Sequence, residues 1–379
     1  MTLRDDQEFG RTIFTGDEPA RDAVPAPDTI GHYLVVLDGA EQGRRLELSA
    51  TEPMTIGRDP QQTLVFADPE LSRRHARVLL VNEEPLVQDL GSTNGTFVDG
   101  KRVTAPTKLP EGTVLRIGSQ LFRYERRSRR DVERAEELDR DLLKASRYVL
   151  SLLPAPLDTG PVLTAWRFVP SAHLGGDAFG YYWLDSDTFV FYLVDVSGHG
   201  VGSAMHSVTV LNVLRQRALP HVDFTDPGSV LSSLNARFQM DGHDGLFFTM
   251  WYGVYHRCDR ALACGCAGHH PAYLVPLDKG STEPLGMPGI IVGAMPDVTY
   301  DVQRTIVPVG ATVYLFSDGA FEIVTKDEQR WTLADFVPLM LRPSIPGTPE
   351  PERLYQVVRQ AAEPRLLDDD FSLMTVTFR

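Results

Sequence analysis

Residues 188–219 read TFVFYLVDVSGHGVGSAMHSVTVLNVLRQRAL. The stretch through Val196 is aromatic and β-branched and predicts a strand, whereas VGSAMHSVTVLNVLRQRAL predicts a helix, with a glycine-rich turn between them. Working outward, FFTMWYGVYH (247–256), ALACGCAG (261–268), TVYLFSDG (312–319) and SLMTVTF (372–378) predict further strands. PGSVLSSLNARF (227–238) and PERLYQVVRQAA (351–362) predict further helices. Strands in hairpin-like succession, with two adjacent helical stretches after the first group, predict an α+β layered domain over residues 155–379.

Upstream the pattern changes. From His32 to Glu125, short apolar runs such as YLVVL, ARVLLV, GTVLRIG and LFRYE are separated by Gly, Pro, Asp and Asn clusters roughly every 8 to 12 residues, the spacing of a β-sandwich or barrel. This sets an all-β domain at 31–125. Residues 126–153, RRSRRDVERAEELDRDLLKASRYVLSLL, contain no Gly or Pro and predict one helix stopped by Pro154, a helical linker over 126–154. Along it Ala135, Leu138, Leu142, Ala145, Val149 and Leu152 recur at spacings of 3 and 4, a seam that suits either a dimeric coiled coil or packing on a neighbouring domain. Residues 1–30, rich in Asp, Glu, Arg, Pro and Ala, predict a disordered tail that contains Thr12 and Thr15.

A chain of 379 residues exceeds the roughly 100 to 200 typical of one domain. Hydrophobic residues at 42% and charged residues at 23% exclude global disorder. Asp and Glu (51) outnumber Lys and Arg (37), giving a formal charge of −14, the wrong sign for a binder that neutralises nucleic-acid phosphates. Three cysteines, Cys258, Cys264 and Cys266, suit a reducing compartment. The N-terminus lacks the apolar core of a signal peptide, and no run reaches the ~18 apolar residues of a membrane span. The expectation is a cytoplasmic protein without membrane or nucleic-acid partners.

In the β-rich domain the polar residues that interrupt the strands fall at turns: Gly57-Arg58, Ser72-Arg73-Arg74-His75 and Ser92-Thr93-Asn94-Gly95. Arginine forks and hydroxyls converging from loops suit a phosphate, because charge-assisted bonds to its oxygens are the strong ones. TIGRD, LSRRHARV, DLGSTNGTFVDG and a closing RIG resemble the forkhead-associated (FHA) domain over residues 31–125. The resemblance implies an eleven-stranded β-sandwich that reads phosphothreonine peptides, so that a kinase or its product becomes a partner. It implies that Arg58 and Ser72 bind the phosphate, Arg73 flanks it, Thr93 and Asn94 hold the peptide backbone, and His75 braces the loop from inside. Gly57, Gly95 and Gly100 read as turn residues, and Asp99 stands where the family more often has Asn, both of which tolerate that turn.

In the second domain four acids lie beside apolar strands: Asp177 in HLGGDAFG, Asp195 in FYLVDVSGHG, Asp318 in YLFSDGAFE and Asp369 in LLDDDFSLMTV. Acids that meet without cations are costly, so strand-end aspartates aimed at one place need a neutralising ion, and oxygen-only ligands favour Mg²⁺ or Mn²⁺. Gly175, Gly176, Gly198, Gly200 and Gly319 let the backbone come close. GGD, DVSGHG, AGHHPAYLV, SDGAFE and DDFSL, in this order, resemble the metal-dependent protein phosphatases (PPM), in the bacterial branch typified by the sporulation phosphatase SpoIIE. The resemblance implies a β-sandwich flanked by helices and two Mn²⁺ or Mg²⁺ ions that activate a water. It implies that Asp195 bridges the ions, the Val196 carbonyl completes one shell, Asp177 serves one ion, and Asp318 and Asp369 serve the other, with Asp195 and Asp177 central to catalysis.

Three departures from that pattern stand out. Gly180 replaces a second acid that many relatives carry three residues after the GGD aspartate. His199 lies four residues after Asp195, where it either donates a proton or braces the loop. In DDD the family pattern aligns with Asp369, Asp370, Phe371 and Ser372, making Asp369 the ligand. Cys258, Cys264 and Cys266 with His269 lack zinc spacing and are expected in the core, and His269 and His270 are expected to be structural. The sequence thus predicts a signalling phosphatase acting on phosphoserine or phosphothreonine of a regulatory protein, by resemblance an anti-sigma-factor antagonist, with a possible homodimer through the linker helix. Its rival is a phosphopeptide-binding adaptor on a degenerate phosphatase fold, which would have no reason to keep all four acids.

Overall fold

The structure, a computed structural model, describes residues 29–38, 42–242, 245–363 and 365–379. The tail expected over 1–30, with Thr12 and Thr15, lies outside the described residues up to position 28. The chain divides after Asp139 into two compact units.

The first unit holds eleven strands: β1 (Ile30–Val36), β2 (Arg45–Glu47), β3 (Met54–Gly57), β4 (Leu64–Val65), β5 (Ala76–Val81), β6 (Glu84–Asp89), β7 (Thr96–Val98), β8 (Lys101–Arg102), β9 (Thr107–Lys108), β10 (Val114–Ile117) and β11 (Gln120–Ser128). They form two sheets, in the orders β2-β1-β11-β10-β7-β8 and β4-β3-β5-β6-β9. Leu34, Ile56, Ala76, Val78, Leu115 and Phe122 fill the space between them, with alternate residues of β10 and of the first half of β5 turned inward. One boundary differs from the sequence reading. The helix expected from Arg126 starts only at Arg129, because Arg126, Arg127 and Ser128 continue β11 and pair with His32, Gly31 and Ile30 of β1. Cross-strand bonds outweigh the helix propensity of an Arg-rich run.

The second unit contains β12 (Val162–Val169), β13 (Asp177–Trp183), β14 (Thr188–Val196), β15 (Phe248–His256), β16 (Ala261–Ala267), β17 (Ala272–Val275), β18 (Glu283–Leu285), β19 (Val302–Ile306), β20 (Thr312–Phe316) and β21 (Phe371–Phe378). Its helices are α2 (Val201–Arg215), α3 (Pro227–Arg237), α4 (Leu333–Met340) and α5 (Glu350–Ala362), following α1 (Arg129–Ser151), which spans the division. Two five-stranded sheets, β12-β21-β20-β17-β18 and β13-β14-β15-β16-β19, lie face to face. From β14, Phe189, Phe191 and Leu193 meet Leu315, Met374 and Val376 of the other sheet. The alternate residues Val190, Tyr192 and Val194 meet Val210 and Leu214 of α2 and Val230 and Leu234 of α3. On the far side Phe316 and Leu373 pack under Phe336 of α4 and Leu354 and Val358 of α5. This helix, sheet, sheet, helix layering explains why TFVFYLVDV is apolar without alternation: both faces of β14 are buried.

The sequence reading did not include α4. Pro338 lies inside this short helix, and its start is fixed by Asp335, which accepts hydrogen bonds from the Thr332 amide and hydroxyl, both at 2.8 Å. On α1 the seam divides. Leu142, Ala145 and Val149 pack on Leu174, Ala204 and Val208, so this half is covered within its own unit. Leu138 remains 59% exposed, against 5% for Val149. Val149→Glu is therefore expected to destabilise the protein by about 2 to 3 kcal/mol, and Leu138→Glu by less than about 0.5 kcal/mol, as read by urea denaturation.

Candidate functional site

Asp177 opens β13 and is the direct cross-strand partner of Asp195 near the end of β14, so two carboxylates meet across one pair of antiparallel strands. Asp318 opens a single 3₁₀ turn after β20, and Asp369 lies just before β21, the antiparallel neighbour of β20. The two sheets thus deliver one pair of acids each. Gly175 and Gly319 lie so close to Asp370 that a side chain at either would collide with it, and one at Gly176 would meet the Val196 carbonyl. These three glycines are required by close approach, while Gly198 (φ 77°) and Gly200 (φ 93°) supply left-handed turns beside His199.

The electrostatics follow from burial. Asp177 is buried and its Oδ2 has no hydrogen-bond partner. Desolvation, then Asp195 and Asp370, hold its carboxyl well above the usual range. Burial, then Asp318, Asp369 and Asp370, push Asp195 up to about 8. Asp318 rises to about 6 through burial, Asp369 and Glu322. Asp369, the most exposed of the four, is also raised, first by burial, with the Asp370 amide and the His199 imidazole pulling the other way. Among the described residues no three His, Cys, Asp or Glu side chains close on a single ion-sized point, so the acids line an edge rather than a cage. Four oxygen donors that repel one another, one with an orphaned buried oxygen, fit hard divalent cations whose remaining positions are taken by water.

Asp370 does different work. Its Oδ1 accepts from the Ser171 amide (2.7 Å) and hydroxyl (3.0 Å), and its Oδ2 from the amides of Gly176 (2.7 Å) and Asp177 (3.4 Å). Ser317 donates its hydroxyl to the Asp370 carbonyl and accepts from the Ser372 amide. Asp370 therefore pins the glycine loop before Asp177 to the start of β21 with both oxygens committed, whereas the exposed Asp369 takes the Asp370 amide on Oδ1 at 2.8 Å. Sequence reasoning ranked Asp370 as the less favoured ligand but did not see this clamp. Its one signal was an acid beside a strand start in a chain that also carries a Gly-Gly turn. At Gly180 the Tyr192 ring occupies the space a side chain would need, which accounts for the missing second acid.

His269 is buried and His270 half-buried, each with Nδ1 on a backbone carbonyl, of His270 (2.7 Å) and Pro271 (3.0 Å). Burial pushes both down, His270 to about 4, so they are neutral at physiological pH. Cys264 and Cys266 lie in the core between the sheets, as expected. Cys258 does not: it is exposed in the turn after β15 ends at His256.

In the first unit the loops converge as the turns suggested. The Ser72 hydroxyl accepts from the Thr93 amide at 3.0 Å, and the amides of Arg58 and Asp59 bond the carbonyls of Ser72 and Arg73. The Arg58, Arg73, Thr93 and Asn94 side chains are exposed around this junction. Asn94 also ties loops together, donating to the Glu70 carbonyl at 2.8 Å. His75 is fully buried, its Nδ1 accepting from the Ser72 amide and its Nε2 donating to the Gly95 carbonyl. Gly57 is not a turn glycine: a side chain there would collide with the Arg73 carbonyl, whereas Gly95 (φ 82°) and Gly100 (φ 77°) do sit in left-handed turns. Asp89, absent from the sequence reading, accepts from Gly91, Ser92 and Thr96 and so shapes the Ser92–Gly95 loop. Burial alone would raise its carboxyl, but the bonds from Ser92 and Thr96 hold it below the usual range.

A family profile described as stage II sporulation protein E (SpoIIE) matches residues 185–379, more than half of the chain, and one described as FHA domain matches 54–118. The chain belongs to the SpoIIE family. Its FHA segment is 49% identical over 86 residues to the FHA domain-containing protein FhaB of Mycobacterium tuberculosis, covering 23% of this chain and 55% of that protein. Its SpoIIE segment is 24% identical over 159 residues to the phosphoserine phosphatase RsbU of Bacillus subtilis, covering 42% of this chain and 46% of that protein. The chain thus spans about half the length of these curated relatives. Among solved structures, the SiaA-PP2C domain of Pseudomonas aeruginosa superposes with a TM-score of 0.57 at 19% identity, covering 65% of this chain and 98% of that one, a likeness of fold. Among the described residues no helix is long and apolar enough to cross a membrane.

The raised carboxyls set a pH dependence for the metal-free protein. Below about pH 4 both folded and unfolded chains hold these protons. As pH rises towards 8, the unfolded chain ionises freely while Asp195, pushed up to about 8, resists, so the folded state loses stability across that window. The metal-free protein is therefore expected to melt at a lower temperature at pH 8 than at pH 5. Saturating Mn²⁺ should raise the midpoint more at pH 8, and Asp195→Asn should stabilise the metal-free form at pH 8 by about 1 to 3 kcal/mol, as read by calorimetry.

Proposed function

We propose that this chain is a metal-dependent protein phosphatase that hydrolyses phosphoserine or phosphothreonine on a regulatory protein in the cytoplasm, with an FHA module that binds a phosphothreonine peptide. The observation that carries the reading is the meeting of Asp177, Asp195, Asp318 and Asp369, each with a raised carboxyl, on the sheet ends of a SpoIIE-family fold. Asp195, Asp177, the Val196 carbonyl, Asp318 and Asp369 would hold the two Mn²⁺ or Mg²⁺ ions, with Asp195 and Asp177 central to catalysis. What such ions supply when bound is Lewis acidity towards water and the phosphoryl oxygens.

The chain's own residues fix the geometry for that chemistry. Asp370 holds the backbone of Gly176 and Asp177 against β21, which fixes where the buried Asp177 carboxylate sits. Ser317 keeps the turn carrying Asp318 on the same strand pair. His199 stands exposed between Gly198 and Gly200, near Asp369, on the loop that leads into α2. The reaction consumes a phosphomonoester and water and yields the free hydroxyl and inorganic phosphate. By the likeness to a phosphoserine phosphatase and the family resemblance, the substrate class is a phosphorylated regulator such as an anti-sigma-factor antagonist.

At the FHA surface, Arg58 and Ser72 take the phosphate, Arg73 flanks it, and Thr93 and Asn94 hold the peptide. Tethering such a module to an enzyme raises the effective concentration of any partner that carries both marks. A homodimer through α1 would use side chains left uncovered there, Leu138 and Leu143 among them, and light scattering reads it.

Two experiments test the proposal. Release of phosphate from a phosphoserine peptide should require Mn²⁺ or Mg²⁺ and fall roughly 10³-fold in Asp195→Asn. A wild-type chain inert under all metal conditions would instead support the adaptor reading. For the FHA surface, Arg58→Ala should cost about 1.5 to 3 kcal/mol of phosphothreonine-peptide binding by calorimetry. Equal binding by this variant would remove Arg58 from the phosphate site.

A further inference from the structure

A cavity of about 470 Å³ adjoins the acid edge and includes Asp369 in its wall. Its far wall is a short hairpin that grows directly out of the turn carrying Asp318. The Glu322 amide bonds the Asp318 carbonyl, Val324 bridges Arg330, and the Trp331 amide returns to the Ile323 carbonyl. The cavity is therefore built from the residues that immediately follow one candidate ligand, Asp318, and immediately precede another, Asp369, where Asp368 completes the rim. Nothing in the reading above uses this space.

We infer that the cavity is a substrate subsite that receives a long cationic side chain, lysine or arginine, flanking the phosphorylated residue. The inference rests on the phosphatase reading. Four observations carry it. The cavity shares Asp369 with the acid edge, so a side chain that enters it belongs to a polypeptide whose phosphorylated residue reaches that edge. Its lining offers an indole, Trp331, beside aliphatic walls, which matches the stem of lysine or arginine and a cation over an aromatic face. Glu322 and Asp368 provide two carboxylates that form no ion pair among the described residues. The Thr332 hydroxyl is committed to Asp335 and does not compete as a polar partner. Arg330 is the one cation in the lining, so it opposes a basic guest and limits the strength of the preference.

The test is a set of phosphoserine peptides with Lys, Glu or Ala placed singly at each of the three positions on either side of the phosphoserine, assayed with Mn²⁺ beside para-nitrophenyl phosphate. At one position or more, Lys is expected to exceed Glu at least tenfold in kcat/KM. That ratio should fall several-fold in Glu322→Gln and rise in Arg330→Ala, two exposed positions where loss of folding is not at issue. Steady hydrolysis of para-nitrophenyl phosphate and of every peptide, without a Lys preference or with a preference that neither variant moves, would overturn the subsite and leave the phosphatase reading standing. A chain inert towards all of them would overturn both.

Discussion

Four carboxylates held together against their own repulsion are the constraint on which the second unit depends. Bringing Asp177 and Asp195 opposite each other on neighbouring strands, and Asp318 and Asp369 onto the adjoining strand pair, removes water from charges that would otherwise be hydrated. Raised carboxyls are the direct expression of that arrangement. A sandwich buried on both faces supplies the rigidity: the aromatic interior between the sheets and the helices over each outer face keep the strand ends from spreading. The loops at these ends can then be glycine-rich without being loose, because Asp370 and Ser317 fasten them with short hydrogen bonds.

The first unit solves a related problem with the opposite sign. A phosphate-binding surface needs exposed cations and hydroxyls held in place without a partner, and here the holding is done from beneath by His75 and Asp89. Both act by fixing backbone amides and hydroxyls of the loops that carry Ser72, Thr93 and Asn94. In both units the loops that carry the proposed ligand-facing residues are thus pinned by side chains outside that set. A substitution at Asp89 would act through loop geometry, and one at Asp370 through both geometry and the charge it sets beside Asp177 and Asp195.

Much of this was readable in the linear chain because its signals are local. Strand segments such as TFVFYLVDV and SLMTVTF announce themselves by β-branched and aromatic composition, and the motifs around Arg58, Ser72, Asp195 and Asp318 are contiguous short stretches. Less readable were features that depend on a partner distant in sequence. The start of α1 moved to Arg129 because β1, almost a hundred residues upstream, claims Arg126 to Ser128. The role of Gly57 changed from turn to close approach because the Arg73 carbonyl crosses it. Helix α4 escaped notice because Pro338 interrupts a segment too short for a helical pattern to accumulate.

The sequence by itself marked out β14, β15, β16, β20 and β21, the helices α2, α3 and α5, and the FHA-like and SpoIIE-like segments, because composition and motif spacing are properties of neighbouring residues. Only the tertiary structure decided that Asp177 faces Asp195, and that Asp370 clamps the glycine loop to β21. It also decided that the seam of α1 is covered at Val149 and open at Leu138. The physical reason is the same in each case. A carboxylate's role depends on which amides, hydroxyls and charges surround it in space, and those come from segments as far apart as Ser171 and Asp370, which no local pattern connects.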